Sequence, residues 1–192
     1  MNTNDRTIFE QHEDWWHNAC IQNFSVGFTQ LARYYLQSAN ALTERTVDDD
    51  SKLDVYVYAA VFLYRHSVEL LLKGLIWRSN FLLGRGRLIP KHHRLIELWQ
   101  TLKSNTSSLF PSDFPLATEQ VDAIETLFLE VAKHDPESDA FRYPLDKRMK
   151  RSHPDVMHIN VRALCNRFNE IHDYLGRMWY VVEFLYDAQS AI

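Results

Sequence analysis

The sequence is poor in the residues that turn a chain. Five glycines and six prolines in 192 residues are too few for the many turns of a β-sandwich of this length. Cysteine is equally scarce. Cys20 and Cys165 are the only two, and there is no Cys-x-x-Cys, which excludes a disulfide framework and an ordinary zinc site. Each lies in an apolar helical pattern and is expected to be a buried free thiol in a reducing compartment. No apolar run approaches the roughly 20 residues of a membrane span. The stretch Met1 to Trp16 is polar and acidic, unlike a signal peptide. A cytoplasmic chain without a membrane segment is therefore expected.

An excess of one charge is also missing. The formal net charge is −4, so the chain as a whole does not attract nucleic acid electrostatically. Two basic clusters stand out locally: Arg78, Arg85, Arg87, Lys91 and Arg94, and then Arg142, Lys147, Arg148, Lys150 and Arg151. Acidic residues gather elsewhere, as at Asp48 to Asp50. The paired Glu-x-x-His of a di-iron bundle is absent. His12-Glu13 is followed by Trp16 where a zinc-protease helix needs its second histidine, and Gly84-Arg85-Gly86 lacks the third glycine of a dinucleotide loop. Neither a metal site nor a cofactor is expected.

What the sequence does have is helix. Leu, Glu, Lys, Arg, Gln and Ala dominate its long segments, and 46% of the residues are hydrophobic, enough for one core in a chain of this length. Trp16, Cys20, Phe24, Phe28, Leu31 and Tyr35 predict a first helix from about Phe9 to Thr43, bent or weakened at Gly27. A second helix is expected over Lys52–Asn80 and a short third over His93–Lys103. Residues 104–115 read as a loop. A fourth helix is expected over Ala117–His134, and residues 135–154 as irregular chain or a small hairpin. The last helix, about Asp155–Ala188, carries Val161, Leu164, Phe168, Ile171, Leu175, Met178, Val182 and Leu185 in alternating steps of three and four. Such a seam packs against other helices or another subunit. The expected fold is all-α: a single-domain bundle of about five helices with a long C-terminal helix.

The second helix is apolar almost all round, which marks it as buried. It nonetheless carries Arg65, His66, Glu69 and Lys73 within about a 100° arc. Burying unpaired charge is costly, so these groups must pair or line a cleft. Arg65–Glu69 and Glu69–Lys73 are both i,i+4 pairs, so one carboxylate can bridge two cations. Two readings follow: a structural ladder that fixes helix register, or a cleft for an anionic ligand such as a nucleotide or RNA phosphate.

Arg65-His66-Ser67-Val68-Glu69-Leu70-Leu71-Leu72-Lys73 resembles the signature helix of HEPN-domain proteins. His92-His93-Arg94-Leu95, Asp135-Pro136 and Phe141-Arg142-Tyr143-Pro144-Leu145-Asp146 are similar to the segments that follow it in one branch of that family, in the same order. The resemblance implies a helical bundle, often homodimeric, among RNA-cutting toxins, phage-defence components, nucleotide-binding modules and inactive relatives. It further implies a ligand site of Arg65, His66, Glu69, Lys73, His93, Arg142 and Tyr143.

Ribonuclease members carry Arg-x4–6-His on the last core helix, extended in one branch to Arg-x4-His-x-Tyr. Arg167, His172 and Tyr174 fit that pattern. Arg6/His12, Arg87/His92, Arg148/His153 and Arg151/His158 also satisfy the spacing, but only the pair at 167 and 172 lies in a long helix with the trailing tyrosine. A histidine can move the proton of a ribose 2′-hydroxyl, and an arginine can hold the phosphate; Tyr174 would be a support or modification site. Residues five apart stand about 140° apart on a helix. Arg167 and His172 would therefore converge on one phosphate only across a two-fold axis, in a homodimer through the last helix. The expected function is a HEPN-like RNA- or nucleotide-binding protein, in its catalytic form a metal-independent endoribonuclease, with an antitoxin or defence partner. The alternative is a non-catalytic helical interaction module in which the ladder is structural.

Overall fold

The computed structural model describes residues 8–9, 13–21, 27–47 and 49–190. Arg6, His12, Phe24 and Asp48 lie outside the described residues. Among the described residues five helices follow one another: α1 (Phe28–Glu44), α2 (Leu53–Leu82), α3 (Leu95–Leu109), α4 (Thr118–His134) and α5 (Val161–Ser190). Short 3₁₀ turns occupy Trp15–His17 and Asp50–Lys52. Among the described residues there is no strand, only an isolated antiparallel bridge between Leu145 and Arg151.

The first helix departs from expectation. It begins at Phe28, after Gly27 in extended conformation, and residues 13–21 form bends and a 3₁₀ turn. Trp16 and Cys20, which share the periodicity of α1, are exposed. Cys20 is thus not the buried helical thiol its pattern suggested, and Cys165 is only half-buried.

α3 runs about two turns past its expected end. Its polar tail stays helical because Asn105 is buried and bonded to Ser79 Oγ and Asn80 Oδ1 at 2.9 and 3.0 Å, while Arg85 reaches Asn105 Oδ1 at 2.7 Å. α2 ends where Gly84 takes φ +70°. The Arg85 N–H then returns to Asn80 O at 2.8 Å and the Gly84 N–H to Phe81 O at 2.9 Å, a glycine-dependent C-cap. α5 starts at Val161 because Asn160 Oδ1 accepts the Ala163 N–H at 2.9 Å.

α2 is the axis of the bundle. Tyr64, Val68, Leu71, Leu72, Leu75 and Ile76 are all sealed from solvent, and every other helix contributes to the same core. Asp50–Leu82 is long and apolar enough to match a membrane span by length and composition, which the expectation of no such run overlooked; here more than half of its most apolar 18 residues is buried inside the bundle. The seam of α5 faces inward, with Phe168, Ile171, Leu175, Met178 and Val182 buried in the core. α1, α2 and α5 can approach closely because residue 74 is glycine: a Cβ there would meet Trp179 Cζ3 at 2.6 Å and Phe28 Cβ at 2.7 Å. Beside it the Arg78 guanidinium lies 4.1 Å over the Trp179 ring and pairs with Glu183. α1 is tied to α5 by a reciprocal amide pair. Asn40 Nδ2 donates to Asn169 Oδ1 at 3.0 Å and Asn169 Nδ2 to Asn40 Oδ1 at 2.9 Å, while the Tyr64 hydroxyl joins at 2.7 Å.

Candidate functional site

Arg65 and Glu69 lie one turn apart on the face of α2 that meets the His92–Arg94 loop and the segment after α4. Both are sealed in the interior. Burial at that depth requires compensation for the charge, and both terminal nitrogens of Arg65 are hydrogen-bonded while Nε has only an ion-pair contact. Nη1 donates to Glu69 Oε2 at 3.3 Å, and Nη2 donates to the main-chain oxygens of His93 at 2.8 Å and Asp135 at 3.2 Å. Nε stands 3.2 Å from Asp135 Oδ2. Asp135 Oδ1 is itself held by the Ala140 N–H at 3.0 Å. One guanidinium thus fastens the loop before α3 and the segment after α4 to the central helix.

The other end of the cluster opens outward. Glu69 Oε1 accepts from Lys73 Nζ at 2.9 Å and from His93 Nδ1 at 2.8 Å. Burial alone would raise the Glu69 carboxyl, but the hydrogen bonds and charges of Lys73 and His93 outweigh it and hold it below the usual carboxylate range. The carboxylate is 2% exposed, whereas the His93 side chain is 52% exposed. A buried anion therefore grips two donors, His93 at the surface and Lys73 with a side chain that is 12% exposed.

His66 is not a rung of the ladder. Its ring stacks on Phe62 with centroids 5.7 Å apart and meets the edge of Tyr35 at 4.5 Å. Burial pushes its pKa below the ordinary histidine value, the positive charges of Lys73, His93 and Arg65 adding to that and Glu69 opposing it. The Arg142 guanidinium lies 5.7 Å from the Phe62 ring and 5.5 Å from that of Tyr143, with Nε donating to Ser138 O at 2.6 Å. Tyr143 is exposed. Arg142 and Tyr143 thus extend an aromatic and basic shelf that runs through Phe62 and His66 to Tyr35.

Arg65, Glu69, Lys73 and His93 are in direct contact, with His66, Arg142 and Tyr143 on the adjoining shelf. Asp135 is the member that sequence reasoning left out of the site. The signal was present in Asp135-Pro136, but nothing in the spacing pointed an aspartate 70 residues away at Arg65.

The second group of residues is divided. Arg167 turns toward α4 and pairs with Glu130. With Arg65, Asp135 and Phe168 it lines a cavity of about 250 Å³, to which His172 does not contribute. His172 has a buried Nε2 with no hydrogen-bond partner. Its pKa is pushed down to about 4, first by burial and then by the charge of Arg33 on α1, against an opposing pull from Asp173. Tyr174 hydrogen-bonds Glu170 one turn earlier on the same helix and lies under the Arg177 guanidinium. Within one chain, Arg167 and His172 stand on different flanks of α5. Among the described residues no cluster of three or more His, Cys, Asp or Glu is arranged to hold a metal ion. The chain matches no protein-family model, and no curated protein or solved structure is significantly similar to it.

Proposed function

We propose that this chain is a HEPN-like protein that binds RNA or a nucleotide through its phosphate at the surface end of the central-helix cluster. The observation that carries the reading is the asymmetry around Glu69. A structural ladder has no need to bring His93 to the surface, yet the buried oxygen that holds Lys73 at 2.9 Å also holds, at 2.8 Å, a His93 side chain that is half-exposed. The adjoining shelf offers Tyr143 and the Phe62–His66 stack to a base and Arg142 to a phosphate. Membership of the family, a homodimeric state and an antitoxin or phage-defence partner belong to the same reading and rest on the sequence resemblance; a cytoplasmic location rests on the two free cysteines.

The endoribonuclease form with Arg167 as phosphate clamp and His172 as acid/base requires two copies to bring their last helices together. The interaction-module reading is favoured by a different observation: the buried Arg65 spends its contacts inside the chain, on Glu69, Asp135 and the His93 main-chain oxygen. The cluster divides accordingly: Arg65 and Asp135 hold the structure together, and Lys73, His93, Arg142 and Tyr143 meet the ligand.

Fluorescence anisotropy with a labelled single-stranded RNA and competing nucleotides tests the reading. A charged hydrogen bond contributes about 1.5–3 kcal/mol, so Lys73→Ala and Arg142→Ala should each weaken binding by about 10- to 100-fold. Unchanged affinity in both variants, or no binding by the wild type, would sink it.

A further inference from the structure

The ring environments of His172 and His93 are opposites. His172 presents a buried, unpartnered nitrogen and lies among apolar core residues of α5. His93 is half-exposed and fixed at two points. Its Nδ1 meets the Glu69 carboxylate at 2.8 Å, and its main-chain oxygen accepts from Arg65 at 2.8 Å. An ionised carboxylate accepts hydrogen bonds only, so Nδ1 carries the proton and Nε2 is left as the free nitrogen. A carboxylate that fixes tautomer and orientation in this way is the device by which a histidine is prepared for proton transfer. Had the pair served packing alone, both partners would be sealed; here only the carboxylate is.

We infer that Glu69 and His93 form a proton-transfer dyad, with His93 Nε2 as the base that activates a ribose 2′-hydroxyl of a bound RNA strand. This rests on the reading of the site as phosphate-binding. Nε2 takes the 2′-hydroxyl proton, and the 2′-oxygen forms a bond to the adjacent phosphorus. The bond from phosphorus to the 5′-oxygen breaks, and that oxygen takes a proton from water. The products are a 2′,3′-cyclic phosphate and a 5′-hydroxyl; His93 returns its proton to solvent. Lys73, held on the same Glu69 oxygen, supplies positive charge for the phosphate oxygens. Glu69 is a positioning residue and His93 the catalytic one. The charged and titratable groups around His93 are Arg65, His66, Glu69 and Lys73 on α2 and Asp135 after α4. His92 and Arg94 flank it in the loop, the latter paired with Glu97 and Glu137.

The test uses the full chain with an RNA oligonucleotide and its all-2′-deoxy counterpart, measuring binding and cleavage in parallel across pH. The wild type should cleave RNA to cyclic-phosphate ends and leave DNA intact. His93→Gln, a change at an exposed side chain, should lose about 10²–10⁴-fold in the cleavage rate measured at saturating RNA. Glu69→Gln, where it folds, should slow cleavage at saturating RNA, and combined with His93→Gln it should add no further loss, because both act through one imidazole. Binding without cleavage by the wild type overturns the dyad and leaves the binding reading standing. Cleavage that survives His93→Gln and disappears with His172→Gln overturns it in favour of α5. Failure of the wild type to bind RNA at all removes the phosphate-binding reading and the dyad together.

Discussion

Arg65 and Asp135 form an ion pair 3.2 Å long with side chains that retain only 1% and 3% of their exposure. Removing one partner of such a pair strands the other charge away from water, at a cost of about 3–5 kcal/mol. Asp135→Asn, which keeps the shape and loses the charge, should lower unfolding stability by an amount near the bottom of that range. Urea denaturation at neutral pH measures it. A loss under about 1 kcal/mol would show that Glu69 and the main-chain oxygens suffice to hold Arg65.

His172 gives the fold a pH dependence of definite sign. Its pKa in the fold is about 4, against about 6.5 in an unfolded chain. Between these values the unfolded chain binds more protons, so stability falls as pH falls. The contribution is constant above about pH 6.5, declines from there, and levels off below about pH 4, for a total of up to about 3 kcal/mol. His172→Gln should flatten this part of the stability profile. His66, also depressed by burial, leaves a smaller residual slope. An unchanged profile in the variant would place the acid sensitivity elsewhere.

Two helical glycines should respond in opposite directions. Gly74→Ala pushes a methyl group against Trp179 and Phe28 and should cost about 1–3 kcal/mol. A Cβ at Gly176 meets nothing within 4 Å, so Gly176→Ala should stabilise by about 0.5–1 kcal/mol. Thermal unfolding of the two variants decides both. Equal effects would contradict the close approach of α1, α2 and α5 at residue 74.

The outer face of α5 carries Tyr180 and Phe184, 72% and 75% exposed, next to the partly exposed Val181. Since the inner seam is occupied by the chain's own core, a homodimer through the last helix would use this face. Phe184→Asp should convert such a dimer to monomer in analytical ultracentrifugation and leave helix content unchanged. A dimer that persists in the variant would assign the interface to another surface.

Much of the architecture was legible in hydrophobic spacing. α2 lacks a polar face and is therefore the axis; the three-and-four steps of α5 became its buried side. Spacing failed where it continued by coincidence. Trp16 and Cys20 keep the period of α1, but the chain reaches an extended Gly27 before the helix begins. It failed again at Ser104 to Ser108, where polar composition read as loop and tertiary bonds to Asn105 kept the helix. In the site, the i,i+4 contacts of Arg65, Glu69 and Lys73 followed from helix geometry alone. His66 lay in the same arc yet joined an aromatic stack, because a 100° arc is wide enough to face two different neighbours. Asp135 was beyond reach, since its contact with Arg65 depends on where α4 ends relative to α2.

The double duty of Arg65, which fastens His93 by its backbone while Glu69 holds its ring, bears on how genetic data for this chain should be read. A loss-of-function screen would score Arg65 and Asp135 beside Lys73 and Arg142, as though all four had the ligand-binding role proposed for the last two. Second-site suppressors separate the two classes. A stabilising change far away, such as Gly176→Ala, should partly restore activity to a mild Asp135 variant, whose defect is a population of poorly fastened molecules. The same suppressor should do nothing for Lys73→Ala, where the lost charge is absent from every molecule.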